Sequence, residues 1–370
     1  MYWDRMIDLL MTLFLPLVCF YHIVTENVFL NVAAQDASGL EKLGNTLLIP
    51  FQYIFAGKEA IHINPNATSP REEWEFIQRF DYSNQFSQKT VASLLALPPS
   101  LILGTAVKAI AYLTTESSKR YISMRESLLC TQVTPKKDLY RAAGLAIIDI
   151  KDMDIFSSEG YARRPGDENH LAKGKEALKE ITDLFNQEGI VWWVDCGTCL
   201  GAHRYGGVIP WDEDIDIAVL LPDFDNVLHV LKKLDPEKYI AQDWSSRDFP
   251  KSYVKVYVRN TNILVDIYHF KIDEKKQQLN YILSLENNIF FPEWWKIRER
   301  RFKEPVAFED LFPLKKATLD GLEVFVPNNT KKYLQRCYGE NLSPAKLFDP
   351  QTEMYEKDLS HPYWQRAYVH

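Results

Sequence analysis

A chain of 370 residues is long enough for two domains, or for one domain and a membrane region. Hydrophobic residues make up 46% and charged residues 25%, which gives enough apolar side chains for a core and excludes extensive disorder. The formal net charge of -7 excludes a nucleic-acid binder, which needs a basic footprint, but leaves room for small phosphorylated substrates held by a few local cations and a metal. Cys19, Cys130, Cys196, Cys199 and Cys337 are too few and too scattered for a disulfide scaffold, and an odd count leaves a thiol free, as in a reducing compartment.

In chain order, the first hydrophobic segment covers about 6–24, with Asp8 as a flaw. It reads as a membrane anchor; the competing signal peptide has a weak basic start and no small-residue cleavage site close behind. The second, about 90–113, is long enough to span, but Pro98, Pro99 and Gly104 should break or kink it and Lys108 interrupts it, which leaves a kinked span, a re-entrant hairpin and a buried helical pair open. Lys119, Arg120 and Arg125 follow it, so a span here places the following chain on the cytoplasmic face. A lumenal type II anchor is the alternative if only the first segment spans. The sequon at Asn66 bears on the second topology alone.

From Gly166 the texture is that of an α/β domain. "HLAKGKEALKEITDLFNQEG" predicts a helix with Leu171, Ala177, Leu178, Ile181 and Phe185 along one face and a stop at Gly189. "IVWWVD" predicts a buried strand, and Asp223 is placed to cap a helix carrying Phe224, Val227, Leu228, Leu231 and Leu234. "SYVKVYV" and "ILVDIYHF" predict two strands joined by the turn "RNTN".

The chemistry lies between the first strand and its successor. As a strand, "WDEDIDIAV" puts Asp212, Asp214 and Asp216 on one face and Ile215, Ile217 and Val219 on the other. Three like charges side by side call for full solvation or for cations. Asp266, alone in an apolar strand, is costly unless paired or bound to metal, and completes a carboxylate set able to hold Mg2+, or Mn2+ in its place. "DCGTCLGAHR" reads as strand, tight turn and helix, with Gly197 and Thr198 at a helix start that can receive a phosphate and Arg204 one to two turns on. Lys255 and Arg259 are further candidate phosphate partners, although an exposed cationic face explains them equally well. The same Cys196 and Cys199 could be a redox pair, or zinc ligands with His203 and Cys337; both readings leave the acidic residues unexplained.

"DCGTCLGAHRYGGVIPWDEDIDI" closely resembles the signature of the LicD and fukutin family, D-x-G-T-L-L-G-A-x-R followed by G-x-I-P-W-D-x-D-I-D. The block Leu311–Leu342 resembles that family's closing segment, and the likeness runs from Gly166 to Leu347. Cys199 departs from the usual Leu, and His203 fills a position that is often apolar. The resemblance implies a nucleotidyltransferase-type fold of the α/β (α+β) class, a mixed sheet flanked by helices. It implies transfer of phosphocholine or an alditol phosphate such as ribitol phosphate from a CDP-linked donor to a glycan or lipid-linked glycan hydroxyl, with release of CMP. Asp214, Asp216 and Asp266 are then catalytic metal ligands, Asp212 a further ligand or neighbour, Gly197, Thr198 and Arg204 donor-binding, and Asp266 a candidate acceptor of the hydroxyl proton.

The resulting organisation is an N-terminal membrane-associated helical region over 1–130, a linker over 131–165, a LicD-like nucleotidyltransferase domain over 166–350 and a tail over 351–370. The alternatives are a metal-dependent glycosyltransferase, whose Asp-x-Asp needs neither the Gly-Thr turn nor the third strand carboxylate, and an inactive membrane scaffold, which has no reason to keep all the acidic residues.

Overall fold

The computed structural model describes residues 37–51, 59–63, 72–76, 86–129, 132–147, 151–152, 167–212, 214–244, 251–281 and 300–365. The hydrophobic segment at 6–24 and the sequon at Asn66 lie outside them. The chain divides into two units, one made of 1–59, 76–127 and 246–250, the other of 60–75, 128–245 and 251–370.

Among its described residues the first unit is mainly helical. Helix α1 (Gly39–Leu47) opens on a capping box in which Ser38 Oγ accepts from the Glu41 N–H (3.2 Å) and Glu41 Oε2 accepts from the Ser38 N–H (2.7 Å). Helix α2 (Phe86–Tyr112) runs on through Pro98 and Pro99, where a break was expected, and α3 (Thr115–Leu129) follows it. Adjacent prolines withhold N–H groups from only the carbonyls of Leu94 and Leu95, and the apolar helix formers on either side carry the helix across.

The second unit is α/β. Helix α4 (Lys137–Ala142) sits in the stretch expected to be a linker, yet Tyr140 is fully buried and its hydroxyl donates to Asp223, while Asn226 Nδ2 donates to Thr134 O (2.7 Å). The linker's 132–147 part is therefore built into the domain. The predicted long helix is α5 (Asp167–Glu188), and the buried strand is β1 (Trp192–Val194). Then come α6 (Cys196–Tyr205), β2 (Asp214–Leu220), α7 (Phe224–Leu231), β3 (Tyr239–Asp243), β4 (Tyr253–Val258), β5 (Leu264–Asp273), β6 (Gln278–Tyr281) and β7 (Val306–Ala307). Asp223 precedes α7 but does not cap it; its carboxylate is taken by Tyr140 and by Asn226 Nδ2 (2.6 Å).

A mixed seven-stranded sheet runs β7-β6-β5-β2-β1, with β4 also on β5 and β3 on β4. Only β2 and β5 pair in parallel; the other pairs are antiparallel. Alternation sorts the side chains. Ile215, Ile217, Val219, Val265 and Ile267 meet Leu178, Ile181 and Phe185 of α5 and Val227 and Val230 of α7 in one core. On the other face Ala218, Leu220 and Phe270 pack with Trp193 and Tyr140. Beside this sheet, β8 (Lys315–Leu319) and β9 (Leu322–Val326) form a hairpin with Lys151–Asp152 parallel to β8. Helix α8 (Thr330–Tyr338) follows. The expected tail boundary at 351 falls inside a further hairpin, β10 (Lys346–Asp349) with β11 (Met354–Lys357), whose Tyr355 hydroxyl donates to Asp167 Oδ2 (2.6 Å).

Candidate active site

Parallel pairing of β2 with β5 sets Asp216 directly beside Asp266, and antiparallel pairing of β4 with β5 sets Lys255 on the other side of Asp266. One transverse row thus reads Lys255, Asp266, Asp216, on the face where an even-numbered residue of β2 points away from α5. Asp214, one pleat earlier, joins it: oxygens of Asp214, Asp216 and Asp266 lie within 4.8 Å of one another. Asp216 and Asp266 are buried and Asp214 half-buried.

Burial first, then the charges of Asp214, Asp266 and Asp212, push the Asp216 carboxyl well above the usual carboxylate range. Asp212 is pushed up the same way, by burial and then by Asp214. Lys255 offsets part of this charge, its Nζ donating to both oxygens of Asp266 (2.8 and 3.0 Å). A buried set of carboxylates held together against mutual repulsion fits a divalent cation, and oxygen-only donors suit Mg2+ or Mn2+. Among the described residues it is the only cluster of His, Cys, Asp and Glu groups with such spacing.

The turn before α6 supports this face. Asp195 ends β1, its N–H donates to Asp216 O (3.0 Å), and its carboxylate accepts from the Cys196 N–H (2.8 Å) and the Tyr333 hydroxyl (2.7 Å). Cys196 takes φ +43°, the left-handed region that side chains rarely adopt, at a cost of about 1 kcal/mol. This strain is local to the site, as is common where a turn is aimed by its surroundings. Gly197 follows, its N–H donating to Asp216 Oδ2 (3.2 Å). A Cβ on Gly197 would stand 2.1 Å from Asp212 Oδ2, so glycine is what lets the two segments close. Asp212 is thereby held against the helix start, beside Asp214 at the edge of the three-carboxylate cluster.

Other expectations meet different fates. Thr198 is buried, and its Oγ1 accepts from the Asp216 N–H (2.8 Å), tying α6 to β2. Arg204, expected at the donor phosphate, instead turns its Nε to Leu342 O and its Nη2 to Ser343 O (2.7 Å), because the closing segment brings bare carbonyls alongside α6. Arg259 falls just past the end of β4, and its Nε donates to Pro236 O (2.6 Å). The cysteines are core: Cys196, Cys199 and Cys337 are buried, and burial pushes each thiol up, the opposite of what a nucleophile or zinc ligand needs.

Sequence reasoning missed Asp195, Tyr333, Arg301 and Lys346. Asp195 carried a signal, a lone acid between an apolar strand and a helix start. Tyr333 carried none: it reaches Asp195 from α8 while accepting from Trp193 Nε1 (3.5 Å). Arg301 and Lys346 both act on Asp212, lowering its carboxyl against the effect of burial, and Lys346 Nζ lies 5.8 Å from the Trp211 ring centre.

The site thus sits on a mixed sheet with helices on its flanks and combines an Asp-x-Asp strand, a third carboxylate on the parallel neighbour and a glycine-bearing helix start. Residues 189–329 match the LicD/FKTN/FKRP nucleotidyltransferase domain, the family whose signature the sequence resembles. An uncharacterised protein of Rickettsia prowazekii is 28% identical over 183 residues, 48% of this chain and 60% of that protein. Human ribitol 5-phosphate transferase FKRP is 24% identical over 182 residues, 48% of this chain and 32% of its own length. Human ribitol-5-phosphate transferase FKTN is 34% identical over 50 residues, 14% of this chain and 11% of its own. The chain thus matches less than two thirds of the length of each.

Proposed function

We propose that this chain is a metal-dependent transferase that moves a substituted phosphate group, of the phosphocholine or ribitol-phosphate kind, from a CDP-linked donor to a glycan hydroxyl with release of CMP. The observation that carries the reading is the three-strand row of Lys255, Asp266 and Asp216 with Asp214 beside it, a concentration of buried charge that the fold has no structural need for. The relatives named as ribitol-phosphate transferases support the class of group transferred.

Asp214, Asp216 and Asp266 would hold the divalent cation, Mg2+ or Mn2+, which when bound neutralises donor phosphate charge and lowers the barrier to an incoming oxygen. The chain's own groups do the rest. The start of α6 orients the acidic row: the Gly197 N–H holds Asp216 Oδ2, and the missing side chain at Gly197 lets Asp212 close beside it. Lys255 fixes both oxygens of Asp266, which makes that carboxylate an anchor, and Asp214, at the half-exposed end of the row, is the better placed to take the hydroxyl proton. The hydroxyl oxygen bonds to the phosphorus of the transferred group as the bond to CMP breaks.

The test is CMP release by the full chain from a panel of CDP-linked donors with glycan acceptors, beside Asp216→Asn and Asp214→Asn. Mg2+-dependent release from one donor, lost in both variants, is expected. Turnover of nucleotide sugars instead would move the reading to a glycosyltransferase, and silence with no divalent-cation binding would overturn it.

A further inference from the structure

The helical unit inverts the polarity of a water-soluble bundle. Glu41, Asn45, Ser100, Thr105, Lys108 and Ser117 lie inside it, 4–7% exposed. Val91, Leu95, Ile102, Leu103, Ile110 and Leu113 lie outside, 55–83% exposed. In water this arrangement loses on both counts, since polar groups are desolvated and large apolar side chains are left wet. In hydrocarbon the exposed apolar side chains cost nothing, and polar groups are better kept inside than turned to lipid.

The seam between α1 and α2 has the texture that lipid demands. Glycines bring the backbones together: a Cβ on Gly104 would come within 2.6 Å of Leu48 Cγ, and one on Gly44 within 2.8 Å of Lys108 Cγ. Polar groups then bond across the seam, the Ser100 hydroxyl donating to Leu47 O, and α3 adds a further tie to α1 in which Arg120 Nη1 pairs with Glu41 Oε2 (3.2 Å). Small residues at the contact with hydrogen bonds as glue are how helices associate where apolar burial gives no drive.

Length and charge fit the same surroundings. Thr90–Tyr112 gives 23 residues of apolar helix, about 34 Å at 1.5 Å each against a hydrocarbon layer of about 30 Å. Lys108, the sole ionisable side chain in that stretch apart from the terminal Tyr112, lays its stem over Gly44 about 6 Å from the end. Tyr112 closes the apolar run, and the exposed Lys119 stands just beyond it, suited to anionic head groups. The carbonyls of Leu94 and Leu95, deprived of donors by the prolines, fall within about 8 Å of the opposite end, where water still reaches.

We propose that α2 crosses a lipid bilayer with α1 packed against it, that the face bearing Leu95, Ile102, Leu103 and Ile110 meets acyl chains, and that the polar seam faces protein. This holds independently of the chemistry at the acidic row. The full chain in phosphatidylcholine–phosphatidylglycerol vesicles, labelled with a lipid-soluble diazirine and mapped by mass spectrometry, tests it. Adducts at Val91, Leu95, Ile102, Leu103 and Ile110, repeated at helical spacing and absent at Ser100, Gly104 and Lys108, are expected at every protein-to-lipid ratio. Adducts confined to 6–24 with none in 90–112 would overturn the proposal, as would labelling of 90–112 that fades as protein concentration rises, the mark of a face covered by a second copy. The double variant Ile102→Asp, Leu103→Asp should lose the adducts at 90–112 while those at 6–24 remain; unchanged labelling would also overturn it.

Discussion

Substituting Gly197 by Ala separates the site from the fold. The new Cβ would lie 2.1 Å from Asp212 Oδ2 and 3.1 Å from its Cγ, so the carboxylate must retreat by about 1 Å to reach even a tight contact. The backbone has no objection, because Gly197 is not among the positive-φ residues and alanine favours a helix by about 0.5–1 kcal/mol over glycine. Overpacking costs about 1–3 kcal/mol, so the net loss of stability is about 0–2.5 kcal/mol. Activity should suffer far more, since a displacement of about 1 Å in a positioned group can cost about 100-fold. Thermal unfolding and CMP release on the same preparation give both numbers. Turnover within twofold of the parent chain would refute the view that Asp212 is held in place by the missing side chain.

Further outcomes follow from the same geometry. Asp216→Asn removes a buried like charge and should leave the metal-free protein equally or more stable while abolishing both turnover and the rise in melting temperature on adding Mg2+. Asp266→Asn should do the reverse to stability, costing about 2–4 kcal/mol in urea unfolding because Lys255, 16% exposed, loses its bidentate partner. His269 is buried against Phe224, and burial lowers its pKa to about 3, so between its ordinary 6.5 and that value the unfolded chain binds a proton that the folded chain does not. Stability should therefore fall with pH by up to about 1.4 kcal/mol per unit below 6.5, and His269→Gln should flatten that slope in unfolding measured from pH 7 to pH 5. Arg204→Ala should lower the melting temperature by loosening 342–343 and change kcat less than about threefold; a loss of about 100-fold would return Arg204 to the donor phosphate.

What the sequence made legible was local. Alternation in "WDEDIDIAV" foretold which side chains of β2 face the core, and the lone Asp266 announced itself by sitting in an apolar strand. The glycine-bearing turn, the long helix and the Tyr253–Val258 strand fell where periodicity put them. Pairing partners were not legible, because nothing in a strand's own pattern says which strand will lie beside it or in which direction. The contacts of Arg204 were hidden for a related reason: a guanidinium one to two turns into a helix looks toward a phosphate, and its own pattern does not show that a distant segment brings the Leu342 and Ser343 carbonyls to it. Asp223 looked like a cap, and only the burial of Tyr140 from the expected linker reassigned it. Helix α2 outran its prolines because the rule against interior proline weighs one lost hydrogen bond at a time, while a long apolar helix has many to set against it.

The parallel pairing of β2 and β5 has a consequence for when the site can exist. Asp216 and Asp266 are 50 positions apart and become neighbours only after α7, β3 and β4 have been laid down between them. A slip of one residue would turn Asp266 into the face packed by α5 and bring Val265 or Ile267 to the row in its place. A chain that is collapsed but out of register therefore has no cation site at all. The acidic row in this way reads out whether the sheet has been assembled correctly, and under the proposed function divalent-ion affinity would report a correctly registered sheet.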